Sequence, residues 1–425
     1  MTTTTNNEQK KLNVPNKREQ NQSCLDSAER EGLRPNGNVP NLRFPEFRGE
    51  WEKVRLGEEC NMLCGYAFNG EDIVEQGSYL LMRGINITEG SIRHSSELDR
   101  YYSGSIEKLD KYKLAIGDLV IGMDGSKVGR NSAIVSSYED GSYLVQRVCR
   151  IRSSIGNNYI LQFINNTKFH QYVDTVKTSS AIPHISLRDI KNYRISIPST
   201  QDETDKIAKL FLLLDERIAT QNKIIEDLKK LKSAIIEKLY KEIQGTWYSY
   251  RQLFSIINER NKQLEYSNVL SASQERGMVS REDLNLDIHF ERSNIGTYKI
   301  VKNGDYVIHL RSFQGGFAFT EKTGICSPAY TVLRPNNLLV YGYLSNYFTS
   351  RDFVKSLIIV TYGIRDGRSI NVDEWLDMKV VIPSKEQQTH IVNVIESIEN
   401  KIKNEETYSN CLLNQKQYLL RQMFI

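Results

Sequence analysis

Two hydrophobic periods alternate along this chain. From about Pro40, short apolar runs such as Asp118-Leu119-Val120-Ile121-Gly122 and Tyr306-Val307-Ile308-His309-Leu310 are separated by Gly, Asn, Asp and Ser, a pattern of short strands and tight turns. Helical patterns interrupt them over Tyr159 to Thr167 and Tyr341 to Thr349. Each such stretch ends in an apolar run closed by proline, Ile195-Ser196-Ile197-Pro198 and Val380-Val381-Ile382-Pro383. Proline stops strand pairing there, and the acidic and amide residues that follow suit the first turn of a helix.

Beyond each proline the period lengthens to steps of four and three. The first seam runs through Ile207, Phe211, Leu214, Ile218, Gln221, Ile225, Leu228, Lys232, Ile235 and Leu239; the second through Ile391, Ile395, Ile398, Ile402, Glu405, Ser409, Leu412, Lys416, Leu419 and Met423. Sustained over about five heptads, this predicts two coiled-coil helices of about 40 residues, each roughly 60 Å long. Gln221 and Lys232 recur as Glu405 and Lys416. In an antiparallel pair Lys232 would meet Glu405 and Gln221 would meet Lys416, with Ile218 facing Leu419 and Ile235 facing Ile402. Such a buried polar pairing sets register at some expense of stability. The alternative leaves both polar positions solvated.

The chain is one unit written twice. Gly49-Glu50-Trp51 returns as Gly245-Thr246-Trp247, Gly90-Ser91-Ile92 as Gly277-Met278-Val279, and Gly117-Asp118-Leu119-Val120-Ile121 as Gly304-Asp305-Tyr306-Val307-Ile308. Gly129 returns as Gly316, and Ile195-Ser196-Ile197-Pro198-Ser199 as Val380-Val381-Ile382-Pro383-Ser384. The offsets, 196, 187, 187, 187 and 185 and then 184 in the helices, keep the same order along the chain, which separates a duplication from chance. The expected fold class is α+β: two mixed α/β domains in tandem, each followed by a long helix, the two helices forming an antiparallel coiled coil. The boundaries expected are a polar arm over 1–39, a first domain over 40–199, a first spacer helix over 200–242, a second domain over 243–384 and a second helix over 385–425.

Composition changes this picture little. Residues 1–39 are rich in Thr, Asn, Gln, Lys and Glu with almost no large apolar side chain, which predicts disorder. No apolar stretch approaches the roughly 20 residues of a membrane span. The six cysteines are scattered and the N-terminal residues show no secretion signal, so a cytoplasmic setting is expected. The net charge is +4; the first domain (Pro45 to Pro198) holds 19 basic and 19 acidic residues, the second (Gly245 to Pro383) 16 and 14. Neither is a strong nucleic-acid binder on charge alone, and tight DNA binding would depend on partners.

The combination resembles the specificity subunits of type I restriction-modification systems. It rests on Pro40-Asn41-Leu42-Arg43-Phe44, the two Gly-x-Trp openings, the two Ile-Pro-Ser junctions and the Gly-Asp strand of each half, and extends from about Pro40 to Ile425. The long polar arm departs from the family pattern. The resemblance implies two target-recognition domains on double-stranded DNA, each reading half of an asymmetric, bipartite site, with helix length acting as a ruler. It implies docking of two modification (methyltransferase) subunits and of restriction (motor-nuclease) subunits. S-adenosylmethionine, ATP and Mg would belong to those partners, and this chain would be non-catalytic.

The residues agree with that expectation of no chemistry. No Pro-Pro dipeptide occurs for an amino-methyltransferase loop, and no phosphate loop of the motor type is present. Asp227-Leu228-Lys229 lies mid-helix and predicts a solvated face. Cys60-x-x-x-Cys64 lacks partner ligands and the usual spacing of a zinc site, and His94 and His184 lack a companion nucleophile; no metal is expected. Base reading calls for Arg, Lys, Asn or Gln on loops, and phosphate binding for Lys, Arg, Ser and Thr. The candidates in the first domain are Arg83, the turn with Ser126, Lys127 and Arg130, and the loop with Lys177, Ser179 and Ser180. Those in the second are Arg276 with Arg281, Arg311 with Gln314, and the loop with Tyr362, Arg365 and Arg368. The competing interpretation is a tandem scaffold that binds protein partners through its coiled coil, which leaves unexplained why the two domains diverged while the helices kept step.

Overall fold

The computed structural model describes residues 37–273, 276–284, 292–309, 316–362 and 369–425. It divides into two compact units: residues 1–218 with 412–425, and residues 219–411. Each long helix is therefore shared, its two parts belonging to different units. The expectation of disorder for the arm falls outside the described residues except at its end, where Asn38 O accepts the Trp51 N–H at 2.7 Å and Asn38 Oδ1 accepts the Ser196 hydroxyl at 3.3 Å.

In the first unit, an antiparallel sheet orders its strands Cys60–Cys64, Val148–Ser153, Leu119–Gly122 and Ser132–Ile134. The second unit repeats that order with Phe254–Ile257, Thr331–Pro335, Tyr306–Ile308 and Phe317–Phe319. The marks of the duplication acquire structural causes. The strand after the first Gly-x-Trp opening, Glu52–Arg55, pairs with Arg194–Ile197, the run before the first Ile-Pro junction; Thr246–Ser249 pairs in the same way with Lys379–Ile382. Opening and exit thus close each unit as one ribbon. In each Gly-Asp turn the glycine takes a left-handed φ, +85° at Gly117 and +93° at Gly304.

The aspartate that follows accepts the N–H three residues earlier, Ala115 at 2.9 Å and Lys302 at 2.8 Å. Its carboxylate, nearly inaccessible to solvent, then holds an arginine of the neighbouring strand through two bonds. Asp118 takes Arg152 at 2.5 and 2.7 Å, and Asp305 takes Arg334 at 2.8 and 2.9 Å. The units differ outside this sheet. The first adds a sheet of Tyr143–Leu144, Tyr79–Met82, Tyr101–Tyr102 and Ile73–Val74 and the second the antiparallel pair Lys299–Val301 with Gly324–Cys326, whereas a hairpin at the duplicated glycines is common to both, Ile87–Thr88 with Ser91–Ile92 and Leu270–Ser273 with Gly277–Ser280. The helix expected over Tyr159 to Thr167 is present as Asn157–Ile164 followed by Thr167–Val176. The one expected over Tyr341 to Thr349 is instead turns with a single 3-10 turn, Tyr347–Thr349, ahead of the helix Arg351–Ser356. Gly342, at φ +70°, does not continue a helix.

The long helices span Gln201–Lys241 and Lys385–Met423. Within each unit they run antiparallel. In the first, Phe211 packs on Phe424 with ring centroids 5.5 Å apart while Lys416 reaches Asp215 at 2.5 Å. In the second, Gln221 bonds Glu405 at 2.5 Å and Lys232 bonds Glu399 at 2.5 Å. The seam positions are buried or half-buried, but register differs from the expected pairing: Lys232 meets Glu399 rather than Glu405, and Lys416 meets Asp215 rather than Gln221. The helix ends account for this. Leu420, Met423 and Phe424 sink into the core of the first unit beside Phe211 and Ile207. Ile391 and Ile395 sink into that of the second, with Ile236. Ile236 and Leu420, beside the expected seam residues Ile235 and Leu419, become the buried ones, as the mismatch between 3.6 and 3.5 residues per turn carries the seam around each helix.

At the start of the first long helix, fully buried Glu203 accepts Arg43 through both oxygens at 2.7 Å and the Trp51 indole N–H at 3.3 Å. This one carboxylate explains why the Pro-x-Leu-Arg-Phe segment and the first Gly-x-Trp opening occur together. No helix among the described residues is long and apolar enough to cross a membrane.

Candidate nucleic-acid interface

The three loops picked out in the first unit converge. The turn after Leu119–Gly122 is closed by Gly122 N–H to Asn131 O at 2.8 Å and Gly129 N–H to Gly122 O at 3.1 Å, and pinned by buried Val128, leaving Ser126 and Lys127 exposed. Gly129 has φ +73°, and a β-carbon there would lie 2.8 Å from Val173, so only glycine lets this turn lie against the helix Thr167–Val176. The loop of Lys177, Ser179 and Ser180 joins the same turn: Gly125 N–H donates to Pro183 O at 3.0 Å, and Asp124 forms an antiparallel bridge with His184. The loop is braced from within by Thr178 Oγ1 against His184 Nδ1 at 3.0 Å and by the Ser180 hydroxyl donating to Ile182 O at 2.7 Å. The segment after Arg83 arrives from the other side, where Gly84 lies beside the Asp124 carboxylate and Gly90 N–H donates to Ser132 O at 2.9 Å. Arg83 itself is half-buried, its guanidinium 3.4 Å from Leu98 O.

Three of the basic side chains on these loops hold carboxylates. Lys127 pairs with Glu89 at 3.0 Å, Arg130 with Asp174 at 3.0 Å and Lys177 with Asp174 at 2.6 Å. Hydrogen bonding to Lys177 and the nearby Arg130 hold the Asp174 carboxyl below its usual range. Exposed pairs of this kind contribute about 1 kcal/mol or less, so a phosphate can displace the carboxylates at little expense. His170 nearby is partly buried, and that burial, with Arg130 close by, keeps its pKa below the ordinary value.

In the second unit Arg276 is exposed at the tip of the hairpin Leu270–Ser273 with Gly277–Ser280, and Arg281 opens the 3-10 turn that follows, its N–H held by Val269 O at 3.0 Å. Arg311, Gln314, Arg365 and Arg368 lie outside the described residues, as does the side chain of Tyr362. Their surroundings are described: Ile308 pairs with Phe317 across the connection that holds Arg311 and Gln314, and Tyr362 pairs with Ser369 across the other. The strands Tyr306–Ile308 and Phe317–Phe319 hold the same places in their sheet as Leu119–Gly122 and Ser132–Ile134 in theirs.

The remaining candidates for chemistry take structural roles. His94 is tied at both ring nitrogens, to Asp99 at 3.0 Å and Glu139 at 2.8 Å. Lys229 faces outward and pairs with Glu406 at 2.7 Å. Among the described residues no group of three or more His, Cys, Asp or Glu could hold a metal ion. Cys60 and Cys64 sit on one strand opposite Ser153 and Cys149. Burial pushes the Cys60 thiol up to about 11, while a hydrogen bond with Cys149 and the charges of Lys191 and Arg147 bring Cys64 to about 7.

One element of this face carries no mark in the sequence. Gln146 and Arg147, both exposed, form the turn between Tyr143–Leu144 and Val148–Ser153, and Arg147 has φ +68°. Left-handed backbone at a non-glycine residue has no reliable sequence signal, and a polar pair between apolar runs is the only hint.

The chain is similar to known proteins in the sequence of its first half and in fold along most of its length. Residues 48–230 match the family described as the type I restriction modification DNA specificity domain. The chain is 29% identical over 179 residues to the type I restriction enzyme EcoAI specificity subunit of Escherichia coli, an alignment covering 41% of this chain and 29% of that protein. It thus spans less than a third of the length of the curated relative it matches. Two solved structures share the fold along most of the chain. The S subunit of a type I restriction-modification system from M. genitalium has a TM-score of 0.54 at 14% identity, over 91% of this chain and 99% of that one. A chain from a study of complex assembly and conformational transition in the type I R-M system has a TM-score of 0.54 at 14% identity, over 89% and 98%.

Proposed function

Residues 48–230 carry a type I restriction modification DNA specificity domain, and from that premise we propose that the chain as a whole is the DNA sequence-specificity subunit of a type I restriction-modification enzyme. Each unit reads half of an asymmetric, bipartite site in double-stranded DNA. The chain itself carries no chemistry; two modification subunits bring S-adenosylmethionine and methyl transfer, and restriction subunits bring the ATP- and Mg-dependent motor and nuclease.

The observation that carries this reading lies outside the matched residues. The second unit repeats the strand order of the first and its buried Asp–Arg pair, so the DNA-specificity architecture is present twice. The peripheral sheets differ between the copies, as two unlike half-sites require. The paired Lys127, Arg130 and Lys177 support a division of labour in which affinity comes largely from the partners and this chain contributes selectivity.

The test is methylome sequencing of a methylation-free host expressing this chain with its cognate modification subunit. A split, asymmetric methylated motif is expected, and it disappears when this gene is omitted. Methylation at an unsplit motif, or a motif that persists without this chain, overturns the proposal.

A further inference from the structure

The turn at Gln146 and Arg147 is built as a rigid mount. Val148 N–H closes it onto Val145 O at 3.2 Å, and each neighbouring segment fastens it: Val145 N–H to Met82 O at 3.1 Å, Gln146 N–H to Tyr66 O at 2.8 Å, and Met123 N–H to Arg147 O at 2.9 Å. Gly65 is pressed so closely against it that a β-carbon would lie 2.2 Å from Val145 O. The segments holding the turn are those that lead into the converging loops. Met82 precedes Arg83, Met123 precedes the turn of Ser126, Lys127 and Arg130, and Met123 O also accepts the Ile185 N–H at 3.0 Å where the loop of Lys177, Ser179 and Ser180 ends. Arg147 therefore stands where the three loops meet.

Two properties set it apart from Lys127, Arg130 and Lys177, and its exposure sets it apart from half-buried Arg83. Its backbone is left-handed at φ +68°, the third position of a turn that ordinarily takes glycine. Lys127, Arg130 and Lys177 hold carboxylates, whereas no ion pair is formed by Arg147 among the described residues. A strained backbone under an exposed, uncommitted guanidinium is retained where the side chain is what the position serves.

We propose that Arg147 is a specificity-determining residue of the first unit, its guanidinium donating two parallel N–H bonds to O6 and N7 of a guanine in the major groove of that unit's half-site. Lys127, Arg130 and Lys177 then exchange their carboxylates for phosphates and position the duplex around it. This inference rests on the DNA-reading function proposed above.

The experiment compares the wild-type chain with Arg147→Gly and Arg147→Lys, each assembled with the cognate modification subunit. It measures the methylated motif, the methylation rate at wild-type sites and the Tm of the chain. Arg147→Gly suits the left-handed turn, so its Tm is expected to equal or exceed wild type while methylation at wild-type sites falls tenfold or more. The residual motif relaxes at one G·C pair of a single half-site, the other half-site staying intact. Arg147→Lys keeps the charge and the β-carbon but not the fork, and the same relaxation is expected. Unchanged rate and motif in Arg147→Gly overturn the proposal. So does a uniform loss of rate without relaxation that Arg147→Lys restores, since that marks a phosphate contact. If Arg147→Gly lowers Tm, the motif left by Arg147→Lys decides: relaxation at one base pair upholds the proposal, an unaltered motif overturns it. Absence of any split motif with the wild-type assembly overturns the function proposed above and this inference together, whereas a wild-type motif that neither variant alters overturns this inference alone.

Discussion

At Asp305 a single carboxylate closes a turn and joins two strands, and the same is true of Asp118. Asp305 is buried, while the side chain of Arg334 is 34% exposed, so removing the acid strands an arginine that can still reach water. Asp305→Ala is expected to destabilise the second unit by about 2 to 3 kcal/mol, with Asp305→Asn recovering part of the loss, read from denaturant unfolding. The Gly-Asp recurrence is plain in the sequence as a spacing, but its cause is not. The partner arginine lies 29 residues away in the second unit and 34 in the first. In the first unit Arg150 sits two places from Arg152 and donates instead to the Lys111 and Lys113 carbonyls. Nothing local distinguishes the two. The candidate site divides in the same way: loops rich in Gly, Ser and basic residues are legible, whereas Arg147 depends on a backbone angle imposed by Met82, Tyr66 and Met123, which are distant in sequence.

For the long helices, existence, length and seam follow directly from the spacing of Ile and Leu, but register does not. A heptad pattern repeats, so several alignments bury similar side chains and a few polar positions cannot choose among them. The choice is made at the ends, by Phe424 against Phe211 and Phe163 in one unit and by Ile391 and Ile395 in the other. Glu405 is consequently occupied by its own helix neighbour Lys401 and by Gln221, which together hold its carboxyl below the usual range. A double-mutant cycle is expected to show about 0.5 kcal/mol of coupling between Lys232 and Glu399, both partly exposed, and none between Lys232 and Glu405. Coupling in the second cycle instead of the first would restore the register expected from the sequence.

At the scale of the whole molecule, the linear division into arm, domain, helix, domain and helix becomes a different grouping. Residues 412–425 belong with residues 1–218, and the other unit occupies the chain between them. No local pattern reveals this, because it arises from contacts hundreds of residues apart, such as Asn166 Nδ2 donating to Leu420 O at 3.3 Å. Phe424 is fully buried among Tyr159, Phe163 and Phe211. Phe424→Ala is expected to cost about 3 to 5 kcal/mol and to speed amide exchange in the strands of residues 52–197, leaving the core around Trp375 protected. Loss of protection in the second unit instead would contradict the grouping.

The Leu42 N–H donates to Gln422 O at 3.0 Å, so the beginning and end of the described chain are stitched side by side. Residues 42 and 422, 380 positions apart in the chain, are thus neighbours within one unit. Linking residue 425 to residue 37 and cutting between Lys241 and Thr246 is expected to give a circular permutant in which each unit keeps its own core, read out by the ribosome in a different order and checked by its Tm against the unpermuted chain.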